Sequence, residues 1–410
     1  MELKTKCQYT YFIDTFVIKE KKYDKYVLKL LKDPRFRLRI FDKDKDLELY
    51  SHFLPKMREF LFGTFELSDK QKYKKFKQLP LETRAAILAK YNSVTFEYDL
   101  NQDIQGKMID ENSIFFSIRK IGIVLFNTGI CFLYFKTKIE DNDFSNVLNF
   151  NHKFRDINQE GNNLKNYEKI KVQADSFENI EAFQDFIYSI TGPNIEALKI
   201  NIDTERFYTF SYTCINQEYW NLNTSFENIK NDFYKYVNIL PHESSKNTVM
   251  SENSRVIANS KFSKIGLSKL SSNLICSECD INNYNTLTSE YENQYLYTYI
   301  LGLYLKVYLK KLNNDFKTGK DIEKTRKDFI FFTKNVWIQE ITADDIGSLY
   351  YTYLKEVLEL ERLYNDVKNK YNILYSELKI EKNENVSKLI IAVLVVILLF
   401  NIINFLLYFK

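Results

Sequence analysis

Leu389–Phe409 reads LIIAVLVVILLFNIINFLLYF. The run carries no charge, and Asn401 and Asn404 are its only strongly polar residues. As a helix it would extend roughly 31 Å, close to the ~30 Å hydrocarbon core of a bilayer. The sequence therefore predicts one C-terminal transmembrane helix, with a buried core helix as the alternative. The N-terminus, MELKTKCQYTYFIDTF, lacks the long apolar region of a signal peptide. Lys379, Lys382 and Lys388 precede the run, and Lys410 follows it. The positive-inside tendency then predicts a single-pass, tail-anchored protein of the cell membrane whose N-terminal body faces the cytoplasm. In that compartment Cys7, Cys131, Cys214, Cys276 and Cys279 are expected to be reduced.

Upstream lies a second pattern. Ile346, Tyr350, Tyr353, Val357, Leu360, Tyr364, Val367, Tyr371, Leu374 and Leu378 are spaced alternately four and three apart, a heptad stripe. Thr342 is the expected N-cap, with Asp344 and Asp345 in the first turn, where the helix dipole favours negative charge. No proline follows, so one helix is predicted from about Ala343 into the apolar run. The stripe must be buried, either against this chain's own preceding helix or in a bundle of identical helices.

The residues before the stalk read as an α+β body. Candidate strands are Tyr9–Ile18, Val94–Leu100, Ile121–Phe126, Ile130–Phe135, Ile195–Ile202 and Phe207–Ile215. Asn127-Thr128-Gly129 predicts a hairpin between the third and fourth, with glycine supplying positive φ. Candidate helices are Tyr23–Leu31, Leu81–Lys90, Phe177–Ile190, Phe226–Leu240 and Tyr291–Leu312. Strands and helices do not alternate regularly, which argues against a doubly wound sheet. The predicted organisation is an α+β domain over 1–240, a flexible loop region over 241–288, a helical region packing on the stalk over 289–341, the stalk over 342–388 and the membrane helix over 389–409.

Composition narrows the chemistry. The chain has 410 residues, 45% hydrophobic and 27% charged, so wholesale disorder is excluded. Only 10 Gly and 5 Pro occur, and neither glycine-rich phosphate loop is present. The net charge of +4 is too balanced to argue for direct nucleic-acid binding. Cys276-Ser-Glu-Cys279 is a C-x-x-C pair, but no second pair or paired His completes a zinc set. His52, His152 and His242 are far apart, and no nucleophile elbow or H-E-x-x-H stands in the chain. No catalytic residue, metal ligand or cofactor is assigned, and an enzyme is not expected.

Binding has better candidates. Arg58 (FLPKMREFLFG), Arg119 (FFSIRKIGI) and Arg155 (NHKFRDI) sit in apolar segments. A guanidinium among aromatic faces can clamp a phosphate or carboxylate and stack on a base. The structural alternative is a stem packed on the core with its head paired to Asp or Glu. Arg35, Arg37 and Arg39 alternate along RFRLRI and would share one strand face.

The stalk-to-membrane junction KNENVSKLIIAVLVVILLFNIINF (Lys382–Phe405) and the segment FIFFTKNVWIQEITADDIGSLYYTYLKEVLELERLY resemble the CorA-like membrane proteins. FLPKMREFLFG, IRKIGIVLF and NFNHKFRDIN look like the soluble domain of a CorA-like branch that serves as membrane effectors beside type III CRISPR systems. The resemblance implies a homo-oligomer, often pentameric, embedded in a lipid bilayer. It also implies gating by a nucleotide messenger, S-adenosyl methionine joined to AMP, with Arg58, Arg119 and Arg155 as ligand-binding candidates. Asn401 and Asn404 lie three apart and would face a pore or a neighbouring helix. The Gly-Met-Asn transport signature and the second CorA span are absent, which makes selective Mg²⁺ transport doubtful. The rival readings are a non-channel tail-anchored scaffold and a divergent divalent-cation transporter. A family of single-span proteins of sporulation and mitochondrial organisation ends in a comparable helix and tail.

Overall fold

The computed structural model describes residues 3–100, 102–108, 113–155, 170–173, 181–182, 186–187, 190, 206–244, 254–319 and 321–408. They fall into two units. One holds 1–308 and 337–360, and the other holds 309–336 and 361–410.

The first unit is built on one large sheet. Its strands are β1 (Thr5–Val17), β2 (Phe36–Leu38), β3 (Ser93–Tyr98), β4 (Ile104–Met108), β5 (Ile114–Phe126), β6 (Ile130–Ile139), β7 (Ile170–Gln173), β8 (Glu181–Ala182), β9 (Tyr208–Ile215), β10 (Arg255–Ser260), β11 (Ser263–Leu267) and β12 (Ser271–Ser277). The order is β10-β11-β12-β9-β1-β6-β5-β4-β7-β8, with β3 on β5 and β2 on β3. Every pairing is antiparallel except β9 with β12. The predicted hairpin forms as β5–β6. Gly129 turns it at φ 82°, and a Cβ there would lie 2.1 Å from the Ile18 carbonyl oxygen, so both dihedral and space demand glycine.

Period-2 alternation gives the sheet two different faces. Phe12, Phe116, Phe135 and Ile123 point to one face. There they meet α1 (Tyr23–Lys32), α5 (Leu81–Leu88), α6 (Phe144–Phe154) and α7 (Lys230–Asn238). The opposite face carries Tyr9, Tyr11, Tyr134, Phe210 and Tyr212. A π-helical turn (Tyr291–Tyr295) and α10 (Leu296–Thr318) cover it. Phe210 stacks on Tyr291 with centroids 4.2 Å apart, and Phe126 stacks on Tyr304 at 3.9 Å. The Tyr291 and Tyr350 hydroxyls share Ser272 Oγ at 2.8 and 2.7 Å, so these buried phenols keep their hydrogen bonds.

α12 (Asp345–Val357) packs on α10 within this unit. At Gly302 the helices approach so closely that a Cβ would sit 2.6 Å from Leu354 Cδ2. Gly302→Val is expected to destabilise by about 1–3 kcal/mol through overpacking, read as a lowered denaturation midpoint. An unchanged midpoint would refute that contact.

The structure corrects several expectations. Among the described residues no helix is long and apolar enough to cross a membrane, so the predicted transmembrane helix over Leu389–Phe409 is not supported. The backbone of α13 (Leu360–Tyr408) is helical. What stands is a mixed α/β body with a large sheet, followed by helices.

The stalk helix also breaks. Between α12 and α13 Glu359 adopts φ 55°, a left-handed conformation that ends the first helix. The N-cap is Asp344, whose carboxylate accepts from Gly347 N at 2.6 Å, rather than Thr342. The stripe is buried within the chain at Tyr350, Val357, Leu360 and Val367, and partly exposed at Ile346, Tyr353, Tyr364, Tyr371 and Leu374. Tyr350 and Leu360 are 0% exposed in the first unit, and Val367 is 0% exposed in the second. In the second unit Phe329 of α11 (Ile322–Phe331) lies 5.7 Å from Tyr364 and 5.2 Å from Tyr371.

The expected flexible region over 241–288 instead carries β10, β11 and β12, because short Ser- and Asn-rich runs can pair on a sheet already templated by β9. Residues 181–182 form a strand inside the expected helix Phe177–Ile190. Most of that segment and the expected strand Ile195–Ile202 lie outside the described residues.

Candidate functional site

The site is built around a one-residue irregularity in β5. Ile118 pairs with Thr137 and Lys120 with Lys136, so Arg119 is the extra residue of a β-bulge. A bulge re-aims side chains that strict alternation would send to the other face. Arg119 thereby lines the same cavity as Lys136 and Lys138 of β6, in a space of about 210 Å³. Cys7, Gln8 and Tyr9 of β1, Tyr212 of β9 and Thr288 of α9 (Leu287–Glu290, which follows α8, Ile281–Asn285) complete the lining. The cross-strand pairs Cys7–Cys214 and Tyr9–Tyr212 bring β1 and β9 to it.

Three cations meet few counter-charges here. Arg119 Nε lies 3.3 Å from Asp103 Oδ2 and 3.4 Å from Ser117 Oγ, with its side chain 45% exposed. Lys136 Nζ lies 2.5 Å from Glu292 Oε2 and 4.5 Å from the Tyr9 ring centroid. Lys138 has no ion-pair partner among the described residues. The Tyr9 and Tyr212 rings stack at 5.3 Å, and the Tyr9 hydroxyl donates to the Thr288 carbonyl at 3.0 Å. Behind the cavity the Tyr11 hydroxyl donates to Glu292 Oε1. Burial would raise the Glu292 carboxyl, but Lys136 and Lys120 outweigh it and hold it below the usual range. Burial likewise opposes the charge of Lys120, yet Tyr297, Glu97 and Glu292 keep its pKa raised.

Cys7, Cys214 and Cys276 occupy facing positions on β1, β9 and β12, and all three are free thiols. The hydrogen bond with Cys214, then burial, pushes the Cys7 thiol up. Its bond with Cys276 does the same to Cys214. A protonated thiol is a poor nucleophile, so Cys7 contributes surface rather than attack to the cavity. Among the described residues no group of three or more His, Cys, Asp or Glu is placed to hold a metal ion.

Of the residues singled out from the sequence, only Arg119 reaches this cavity. Arg58 lies on α3 (Pro55–Leu61). It donates to the Tyr50 carbonyl at 3.0 Å and stacks 3.9 Å from that ring's centroid, so it clamps its own segment. Arg155 is 4% exposed at the end of α6, on the opposite face of the sheet. Asn401 is exposed, and the Asn404 side chain lies outside the described residues. Arg35, Arg37 and Arg39 pair with Asp33, Asp99 and Asp46. Sequence reasoning missed Lys136 and Lys138. Extending the β5–β6 ladder beyond Phe135 would have placed the Lys-Thr-Lys run opposite Arg119-Lys120.

His52, on α2 (Leu47–His52), has a different role. It is 7% exposed and its Nε2 is buried without a hydrogen-bond partner among the described residues. Burial lowers its pKa to about 4, against a weaker opposing pull from Asp344. The unfolded chain therefore binds the proton first. Stability is expected to fall as pH drops from about 6.5 to about 4, by up to roughly 3 kcal/mol. Urea midpoints measured across that window should show this decline, and His52→Leu should flatten it. An equal acid decline in both proteins would assign the effect to other groups.

Compared with known proteins, the chain matches no family model, no curated protein and no solved structure.

Proposed function

We propose that this protein is a ligand-sensing, homo-oligomeric effector of the CorA-like kind, whose ligand is an anion held by Arg119, Lys136 and Lys138. The observation that carries the reading is the bulge that turns Arg119 into a cavity already lined by two lysines and two stacked tyrosines. Guanidinium and ammonium groups favour phosphate or carboxylate, and tyrosine faces favour an attached ring. At about 210 Å³ the cavity is smaller than the 300–1,000 Å³ typical of whole drug-sized ligands. It therefore suits the charged end of a larger molecule whose remainder lies outside. A nucleotide has that shape, and the CorA-like resemblance points to the same class, in antiviral defence at the cell membrane.

The test is calorimetric titration of the full-length chain with inorganic phosphate, AMP, and the S-adenosyl methionine–AMP conjugate, at two salt concentrations. A nucleotide should bind more tightly than phosphate, and more weakly as salt rises. Native mass measurement should show more than one copy. Absence of binding by all three compounds at millimolar concentration would remove the sensor reading and leave the scaffold.

A further inference from the structure

Lys136 is the one cation of the cavity already engaged by a near-buried carboxylate. Glu292 reaches it at 2.5 Å, and Tyr11 donates to the other carboxylate oxygen. Both side chains of the ion pair are about one-fifth exposed, at 20% and 21%. Glu292 belongs to the π-helical turn Tyr291–Tyr295, which follows α9 with its cavity-lining Thr288 and precedes α10. A single π turn inside a helical run is uncommon and tends to occur at functional sites. The carboxylate that neutralises a binding lysine is thus carried by an unusual stretch of backbone beside the cavity.

We propose that Glu292 is an internal competitor. In the free protein its carboxylate takes the position on Lys136 that the ligand's anionic group takes on binding, and the π turn is the element that moves when it is displaced. The inference rests on the sensor reading and adds regulation to the same site. Two anions cannot both hold the inner face of one ammonium group without repulsion. A ligand that binds only when Glu292 has released Lys136 shows an affinity reduced by the released fraction. A displaced Glu292 keeps its Tyr11 hydrogen bond and its attraction to Lys120, so release leaves it partly compensated.

The test uses the full-length chain and Glu292→Gln, titrated with AMP and with inorganic phosphate. Glu292→Gln keeps the side-chain size and an acceptor for Tyr11, but removes the competing charge. It is expected to bind about tenfold more tightly than the native chain. Hydrogen exchange over residues 287–296 should rise in the native chain on adding AMP, and should already be raised in ligand-free Glu292→Gln. If the native chain binds but the variant binds equally or more weakly, the competitor idea fails while the sensor reading stands. If neither protein binds either probe, both fail. Binding by the variant alone would support a closed gate. Tighter binding with no change in exchange would overturn the assignment of the π turn as the moving element.

Discussion

Replacing Arg119 and Lys138 together by alanine is expected to weaken nucleotide binding by about 100-fold or more while leaving the fold intact. Charge-assisted hydrogen bonds to an anion are each worth about 1.5–3 kcal/mol, and loss of two sums to at least the ~3 kcal/mol of a hundredfold change. Neither side chain is buried, and the main described partners of Arg119 are the exposed Asp103 and the buried Ser117 hydroxyl. The melting temperature and oligomer mass should therefore match those of the native chain. Arg58→Ala is the control. Its guanidinium is spent on Tyr50, so it should leave affinity unchanged and lower stability instead. Equal affinity in the native chain and the double variant would move the ligand out of this cavity.

Phe12→Ala is expected to have the largest effect on stability, about 3–5 kcal/mol. Phe12 is 0% exposed and sits where two strands and two helical rings converge. Its centroid lies 4.2 Å from Phe154, 5.8 Å from Phe150 and 6.2 Å from Phe207. Aromatic truncation there removes both transfer free energy and ring contacts, and β1 is held on both sides, so the gap cannot close easily. Because the chain has two units, the effect should be read by probes of each. Near-ultraviolet signals of the sheet unit should shift to lower denaturant. A midpoint within about 1 kcal/mol of native would mean that β1 is not the central strand of a rigid core.

These variants mark how much was readable beforehand. Phe12 lies in YTYFIDTF, whose apolar and β-branched content identified a strand without help from the rest of the chain. The hairpin from Ile121 to Phe135 was equally local, because Gly129 supplies a dihedral few other residues adopt. Arg119 was recognisable as a guanidinium within an apolar segment, but its partners were not. Lys136 reaches it across a hairpin, and Tyr212 and Thr288 come from distant segments. The same gap explains the apolar tail. Lack of charge over Leu389–Phe409 suited a bilayer, whereas among the described residues no helix is long and apolar enough to cross one.

The sequence by itself determined much of β1, β3, β5, β6 and β9, the turn at Gly129 and the helical character of the stalk, because dihedral preference and apolar period act over a few neighbouring residues. Only the tertiary structure decided the bulge at Arg119, the parallel joining of β12 to β9, the break at Glu359 and the meeting of Glu292 with Lys136. Each of these depends on which distant segments pair and pack, a free-energy difference summed over long-range contacts that no local pattern records.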